Sequence, residues 1–295
     1  MKLALALVLV GVAGLAVLGQ GPASETYWVT NPTSEARLYV AVVRPHAAPP
    51  VPLPALVLVP GGSGDSSGFV RSTPDGSSQA QRLADRGFVV VAFDADGRGR
   101  SRGTENDNGY VHQDGLAEVI RFAASLSGVD PARIGLVSYS YGVTMAAGAL
   151  ARHPDLSVLF YIDWEGPANR DDTGGCDEHR VGHLQGHACD DEAFWQEREA
   201  ATFALSLRVP YQRLQAREDH VQPDVDHALL MLRNATAVEH GGNGICPWTR
   251  LNDLPENTVY TEATLPPLPP AGTQQREIAD YALDLLARFA PLSAG

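Results

Sequence analysis

The chain has 295 residues, of which 44% are hydrophobic and 19% are charged, and its net charge is −13. This composition supplies enough apolar material for a large core and excludes a disordered chain. The negative charge, without any basic patch interleaved with aromatic residues, argues against nucleic acid as a partner.

The first 19 residues predict a secretory signal peptide. Lys2 is followed by an unbroken run of Leu, Val, Ala and Gly, so that the mature chain would begin near Gln20. An uncleaved membrane anchor is the alternative, because the run approaches the ~20 residues that a span needs. We therefore expect a secreted or periplasmic protein, associated with a membrane only if this segment is retained.

From residue 20 to residue 295 the sequence predicts one domain. Apolar runs predict strands at 26–30, 36–44, 55–59, 88–93, 133–137, 158–162, 211–216 and 236–238. Helical patterns occupy 77–86, 115–126, 143–150, 226–234 and 274–289. The alternation is typical of an α/β fold with a doubly wound, mostly parallel sheet, with the first two strands as an antiparallel edge.

Residues from about 166 to 207 interrupt this alternation, and we expect an inserted cap or lid there. The segment is polar at first and becomes helix-like from residue 191, where Phe194 and Trp195 are expected to be core residues. His179, His183 and His187 recur every four residues, a spacing that could bind zinc on a helix. Glycines interrupt the segment, so a polar lid loop without a metal is the prediction.

Three cysteines follow the leader, and an exported protein favours disulfides. Cys176 and Cys189 flank the His-rich loop and could staple it, whereas Cys246 lies far along the chain. The sequence alone does not choose among the three possible pairs.

The stretch from Ser138 to Gly142 follows a predicted strand and precedes a predicted helix. Strand, tight turn and helix with a serine at the apex form the context of a nucleophile elbow. Small residues are needed two places on either side of that serine, and Gly142 supplies one. Ser138 stands where glycine is commoner. Ser140 is the predicted nucleophile.

A serine hydroxyl needs a base to take its proton and an acid to orient that base. In this architecture the chain order is serine, acid, histidine, so His220, His227 and His240 are candidates. His220 adjoins the expected acid, and His227 falls inside a predicted helix. His240 follows a short predicted strand, and it is therefore the predicted base.

Asp219 is the predicted acid, because it follows a strand and leaves room for one helix and one strand before His240. Glu218 on the same turn and Asp163 at the end of the preceding strand are the alternatives.

The oxyanion of the reaction needs two backbone donors. One is the amide of Tyr141, after the nucleophile, and the other is expected in the glycine-rich loop after the third strand, at Gly62 or next at Ser63. That loop lacks the nucleotide-binding patterns. Ser63, Trp164 and Glu165 are the candidate substrate-binding residues.

Three further segments carry a family resemblance: 97–103, 130–135 and 217–219. With the serine elbow, they resemble the dienelactone hydrolase and prolyl oligopeptidase-like branch of the α/β-hydrolase superfamily, over roughly residues 26–290. The resemblance implies an α/β-hydrolase fold, a triad of Ser140, Asp219 and His240, and oxyanion donors at Gly62 and Tyr141. The chain departs from the family at Pro60, where histidine is frequent, at Ser138, and in the Pro-rich segment after His240.

We therefore expect an exported serine hydrolase that cleaves small or polymeric carboxylic esters through an acyl-enzyme, without a cofactor. A serine peptidase of the prolyl oligopeptidase type and a non-catalytic exported binding protein of the same fold are the alternatives.

Overall fold

A single sheet runs through the computed structural model, which describes residues 24–174, 176, 187–222, 224–270 and 277–290. Within these ranges its strands are β1 (Glu25–Thr30), β2 (Arg37–Val43), β3 (Leu53–Val59), β4 (Val89–Phe93), β5 (Val129–Tyr139), β6 (Phe160–Trp164), β7 (Tyr211–Leu214) and β8 (Thr249–Leu251). Their spatial order is β1-β2-β4-β3-β5-β6-β7-β8. The β1–β2 and β2–β4 pairs are antiparallel, and the other pairs are parallel.

Helices cover both faces of this sheet. The described helices are α1 (Ser67–Val70), α2 (Gln79–Ala84), α3 (Tyr110–Ser125), α4 (Gly142–Arg152), α5 (Arg170–Gly174), α6 (Glu192–Trp195), α7 (Ala200–Ala204), α8 (Asp226–Ala235) and α9 (Ile278–Phe289). Apolar side chains of α3, α4, α7 and α8 form the larger core on one face, and those of α2 and α9 form a second core on the other. Strands β3 and β4 are buried along their whole length, as strands covered on both faces must be. The predicted doubly wound, mostly parallel sheet is confirmed.

The last strand differs from the prediction. Residues 236 and 237 form only isolated bridges, Val238–His240 is a 3-10 helix, and the last strand is β8, at Thr249–Leu251. Three residues with an arginine in the middle are too short to give a strand pattern in the sequence. His240 therefore precedes the last strand instead of following it.

The segment between β6 and β7 contains α5, α6 and α7. Phe194 and Trp195 are buried, as expected. Ala200, Phe203 and Ala204 of α7 belong to the larger core. The C-terminal part of the predicted cap is thus built into the body of the domain.

Cys176 and Cys189 form a disulfide, and Cys246 is a buried free thiol. The predicted leader, His179 and His183 lie outside the described residues. Within those residues, the helices are too short or too polar to span a membrane.

Candidate active site

Ser140 stands at the apex of the predicted elbow, between the end of β5 and the start of α4. Its φ of 50° is a strained value for a residue with a side chain. A hydrogen bond from its amide to the carbonyl of Trp164, 2.8 Å long, holds the turn against β6. A Cβ on Gly142 would lie 2.7 Å from the carbonyl oxygen of Pro60, so this position needs glycine. These constraints lift the Ser140 hydroxyl above the carboxyl end of the sheet.

Ser138, the departure from the usual glycine, is buried in β5 beside β6. Its hydroxyl lies 2.7 Å from the hydroxyl of Tyr161. The side chain is therefore accommodated by a polar partner on the neighbouring strand, and it is not the serine at the apex.

The side chain against the nucleophile is His220, in the loop after β7. Its Nε2 lies 2.9 Å from Oγ of Ser140. The indole ring of Trp164 stacks on the imidazole, with ring centroids 4.9 Å apart. Trp164, predicted to bind substrate, thus fixes the plane of the histidine.

His220 replaces His240 as the candidate base. Helix α8 leaves the carboxyl end of β7 and returns along the sheet, so the connection from α8 to β8 lies at the edge where the parallel strands begin. In this connection, Cys246 Sγ bonds to the carbonyl of Val209, just before β7. His240 belongs to the same connection and is exposed there, opposite the edge that carries Ser140.

Two carboxylates meet the other ring nitrogen of His220. Its Nδ1 lies 3.0 Å from Oδ1 of Asp219 and 3.0 Å from Oε2 of Glu165. Asp219 is the predicted acid, whereas Glu165 was a candidate for substrate binding. Glu165 follows β6 directly, and its φ of 47° turns it towards the histidine.

The alternative acids lie elsewhere. Asp163 is fully buried in an ion pair with Arg213, with an N–O distance of 2.6 Å. Glu218 is mostly exposed and lies 3.5 Å from Arg217.

The charges of the site keep Asp219 ionised and favour protonation of His220. Burial opposes the charge of Asp219, but hydrogen bonds from His220, His227 and Gln215 hold the pKa of its carboxyl far below the usual range. Hydrogen bonds to Asp219 and then Glu165 raise the pKa of His220 to about 9. The imidazolium that forms when the histidine takes a proton is therefore well stabilised.

The glycine-rich loop after β3 passes close to the nucleophile. A Cβ on Gly61 would lie 2.9 Å from the Cβ of Ser140. Gly62 and Ser63, the next two residues, are exposed on the loop, and the amide of Gly64 closes a turn onto the carbonyl of Gly61. Tyr141 is the N-cap of α4, where helix amides lack partners within the helix. Both predicted oxyanion donors, Gly62 and Tyr141, are thus in segments adjacent to Ser140.

An open cleft of about 400 Å³ adjoins this loop. Its walls include Pro60, Gly61 and Gly64 of the loop, together with Phe69 and Tyr139. The Phe69 and Tyr139 rings lie 5.1 Å apart, and Gln79 donates to the hydroxyl of Tyr139. The cleft therefore has an aromatic wall next to the turn that carries Ser140.

The same side chains include a donor set that could hold a cation. Ligand atoms of Glu165, Asp219 and His220 lie within 4.8 Å of one another. Both nitrogens of His220 are engaged, however, one with Ser140 and one with the carboxylates. This is the arrangement of a serine–histidine–carboxylate relay, in which the histidine takes the proton of the serine and the carboxylate orients the imidazole and stabilises its charged form.

Comparisons with known proteins identify similar sequences and similar folds. The family model of the X-Pro dipeptidyl-peptidase (S15 family) matches residues 34–165. The uncharacterized protein YcjY of Escherichia coli K12 is 36% identical over 72 residues, which are 24% of this chain and 24% of that protein.

Two solved structures share the fold. An esterase of Pyrococcus furiosus aligns with a TM-score of 0.62 at 15% identity, over 91% of this chain and 93% of its own. A dipeptidyl peptidase 4 of Porphyromonas gingivalis aligns with a TM-score of 0.62 at 17% identity, over 90% of this chain but 36% of its own. The chain has the α/β-hydrolase fold, and its resemblance to the prolyl oligopeptidase-like branch of that superfamily is confirmed.

Proposed function

We propose that this protein is a serine hydrolase that cleaves carboxylic esters, with Ser140 as nucleophile and His220 as general base. The observation that carries the proposal is the contact of 2.9 Å between His220 Nε2 and Ser140 Oγ, with carboxylates 3.0 Å from the opposite nitrogen. That arrangement activates a hydroxyl that is otherwise a poor nucleophile.

In the first half of the reaction, His220 takes the proton of Ser140 as the oxygen attacks the ester carbonyl. The backbone amides of Tyr141 and Gly62 stabilise the oxyanion. His220 then gives its proton to the leaving alcohol, and an acyl-enzyme remains. In the second half, a water gives its proton to His220 and attacks the acyl carbon. His220 then returns that proton to the Ser140 oxygen as the carboxylic acid leaves.

The esterase of Pyrococcus furiosus favours an ester substrate, because the alignment covers almost the whole of both chains. The exposed cleft beside the loop from Pro60 to Gly64 suits an apolar acyl or alcohol group.

A peptidase is the second candidate, because the X-Pro dipeptidyl-peptidase model matches the segment that carries the elbow. The chain aligns with only 36% of the Porphyromonas peptidase, so the activity of that whole protein is a weaker guide. Two substrates distinguish an esterase from a peptidase: p-nitrophenyl butyrate as an ester and Gly-Pro-p-nitroanilide as a peptide amide. We expect turnover of the ester, and turnover of the amide alone would reverse the order.

Export remains part of the proposal. The disulfide between Cys176 and Cys189 supports an oxidising compartment, and the leader sequence predicts secretion.

The experiment is labelling and turnover with Ser140→Ala. We expect a fluorophosphonate probe to label the native chain at Ser140, and the variant to lose ester turnover by ~10⁴-fold or more. Ser138→Ala is the matched control and should keep both labelling and turnover. A native chain that does not react with the probe would support a non-catalytic binding protein instead.

A further inference from the structure

His220, the base of the proposed relay, contacts two carboxylates, although one is sufficient to orient a histidine. Oδ1 of Asp219 and Oε2 of Glu165 both lie 3.0 Å from Nδ1 of His220. One N–H group can be shared between two acceptors. The two carboxylates come from different strand ends, Glu165 after β6 and Asp219 after β7, so each is positioned independently.

Both carboxylates are fixed by further bonds. The amide of Ala216 donates to Oε1 of Glu165 at 3.0 Å. The amide of Val221 donates to Oδ1 of Asp219 at 2.8 Å, and Gln215 Nε2 donates to its Oδ2 at 2.8 Å. Neither acid can rotate away from the imidazole without breaking such a bond.

A second histidine completes the support of Asp219. His227 lies in α8, its side chain is fully buried, and its Nε2 is 3.2 Å from Oδ2 of Asp219. Its Nδ1 has no hydrogen-bond partner within the described residues. The tautomer with the proton on Nε2 satisfies both facts, because it donates to Asp219 and leaves only a lone pair at Nδ1.

We propose that Glu165 and Asp219 together serve as the acid of the relay, sharing the Nδ1 proton of His220, and that His227 is a positioning residue that holds Asp219. This rests on the proposed function, since it assigns how the base of that reaction is oriented and charged. Removal of one carboxylate leaves the other at the same nitrogen, and therefore weakens the relay without abolishing it.

The shared arrangement has a consequence for pH. The ionisable groups that face His220 are Glu165 from the end of β6 and Asp219 from its own loop. Both favour the imidazolium and raise the pKa of the histidine to about 9. The base is active only when neutral, so kcat/KM should rise with pH up to about 9 in the native enzyme. We call the pH range over which kcat/KM rises the rising limb of the profile. Each lost carboxylate should move this limb towards lower pH.

The test is a pH–rate profile of ester hydrolysis for Glu165→Gln, Asp219→Asn and the double variant. We expect each single variant to lose ~10–100-fold in kcat/KM near the optimum and the double variant ~10⁴-fold, the loss seen when a triad acid is removed. The rising limb should lie at lower pH in both single variants than in the native enzyme, and at still lower pH in the double variant. Glu218→Gln removes the same charge from the exposed part of the same loop, and it should leave rate and limb unchanged.

His227 is tested by two substitutions. His227→Leu removes the donor to Asp219 and should lower kcat several-fold with little change in KM, whereas His227→Gln keeps a donor and should restore most of the rate. Thermal unfolding of each variant separates loss of fold from loss of positioning.

The proposal is overturned if one carboxylate variant keeps both the native rate and the native limb, or if either single variant is as inactive as Ser140→Ala. It is also overturned, for His227, if the two substitutions have equal effects. Fluorophosphonate labelling of the native chain distinguishes these failures from failure of the proposed function, because labelling requires only an activated Ser140.

Discussion

At the scale of single residues, the loop after β3 touches the nucleophile turn. The position of Gly61 is the tightest point, because a Cβ there would lie 2.7 Å from the carbonyl oxygen of Tyr139 as well as close to Ser140. No side chain fits between two segments of backbone at that distance. The loop that contains Gly62 can therefore lie this close to the turn only because Gly61 has no side chain.

Gly61→Ala should therefore displace the oxyanion loop. We expect kcat for ester hydrolysis to fall by ~10²-fold or more, the loss that follows removal of one oxyanion donor. Ser157→Ala is the control, since Ser157 is exposed and bonds to the carbonyl of Pro131, away from the loop, and it should leave kcat unchanged. Steady-state kinetics of both variants checks this, and equal activity would show that the loop is not held by Gly61.

The choice of histidine also depends on single residues. In the sequence, His220 adjoins the predicted acid Asp219, whereas His240 follows a short predicted strand, and for that reason His240 was the predicted base. Adjacent residues can both serve one site when the loop turns between them, and here the turn at Asp219 is closed by the amide of Val221. That turn depends on contacts with β6 and α8, which no local pattern reveals.

At the scale of elements, β6 and β7 are joined by a buried ion pair. Arg213 is fully buried and donates to Asp163 at 2.6 Å and to the carbonyl of Gly166 at 2.8 Å. Tyr211 donates to the same carboxylate oxygen at 2.8 Å. Arg213 also bonds to Gln215, which in turn bonds to Asp219. The pair connects the register of two strands to the position of the acid.

Arg213→Met should be strongly destabilising, because it leaves Asp163 buried and charged without its partner. Breaking a buried pair in this way costs about 3–5 kcal/mol. The free energy of unfolding, from urea titration, checks the value. Arg217→Met, an exposed arginine on the adjoining loop, should change the free energy by less than ~0.5 kcal/mol. A small loss for Arg213→Met would show that water or another cation compensates the aspartate.

At the scale of the whole molecule, the sequence predicted most of the architecture. Buried strands such as β3 and β4 are continuous apolar runs, and the elbow of Ser140 stands between a clear strand and a clear helix. The last strand of the sheet was not predicted from the sequence, because β8 has three residues and mixed polarity. Because the last strand was predicted at residues 236–238, His240 was predicted at the carboxyl end of the parallel strands, where Ser140 lies. In the structure it lies at the opposite edge, where those strands begin.

The sequence predicted part of the candidate site. Ser140, Asp219 and the loop from Pro60 to Gly64 were found because each follows a strand with its own pattern. Glu165 was predicted at the site as a pocket residue, but the role of acid that we propose for it depends on the backbone turn at its positive φ, which is set by tertiary contacts. His220 became the candidate base only through its distance from Ser140.

The proposed mechanism depends on the activation of Ser140 by His220. It is tested most directly by the rate at which a fluorophosphonate labels Ser140 in His220→Ala and in His240→Ala, measured beside ester turnover. We expect His220→Ala to lose ~10³-fold or more in both rates, as when a triad base is removed, and His240→Ala to keep the native rates. Full labelling and turnover in His220→Ala, with loss of both in His240→Ala, would contradict it.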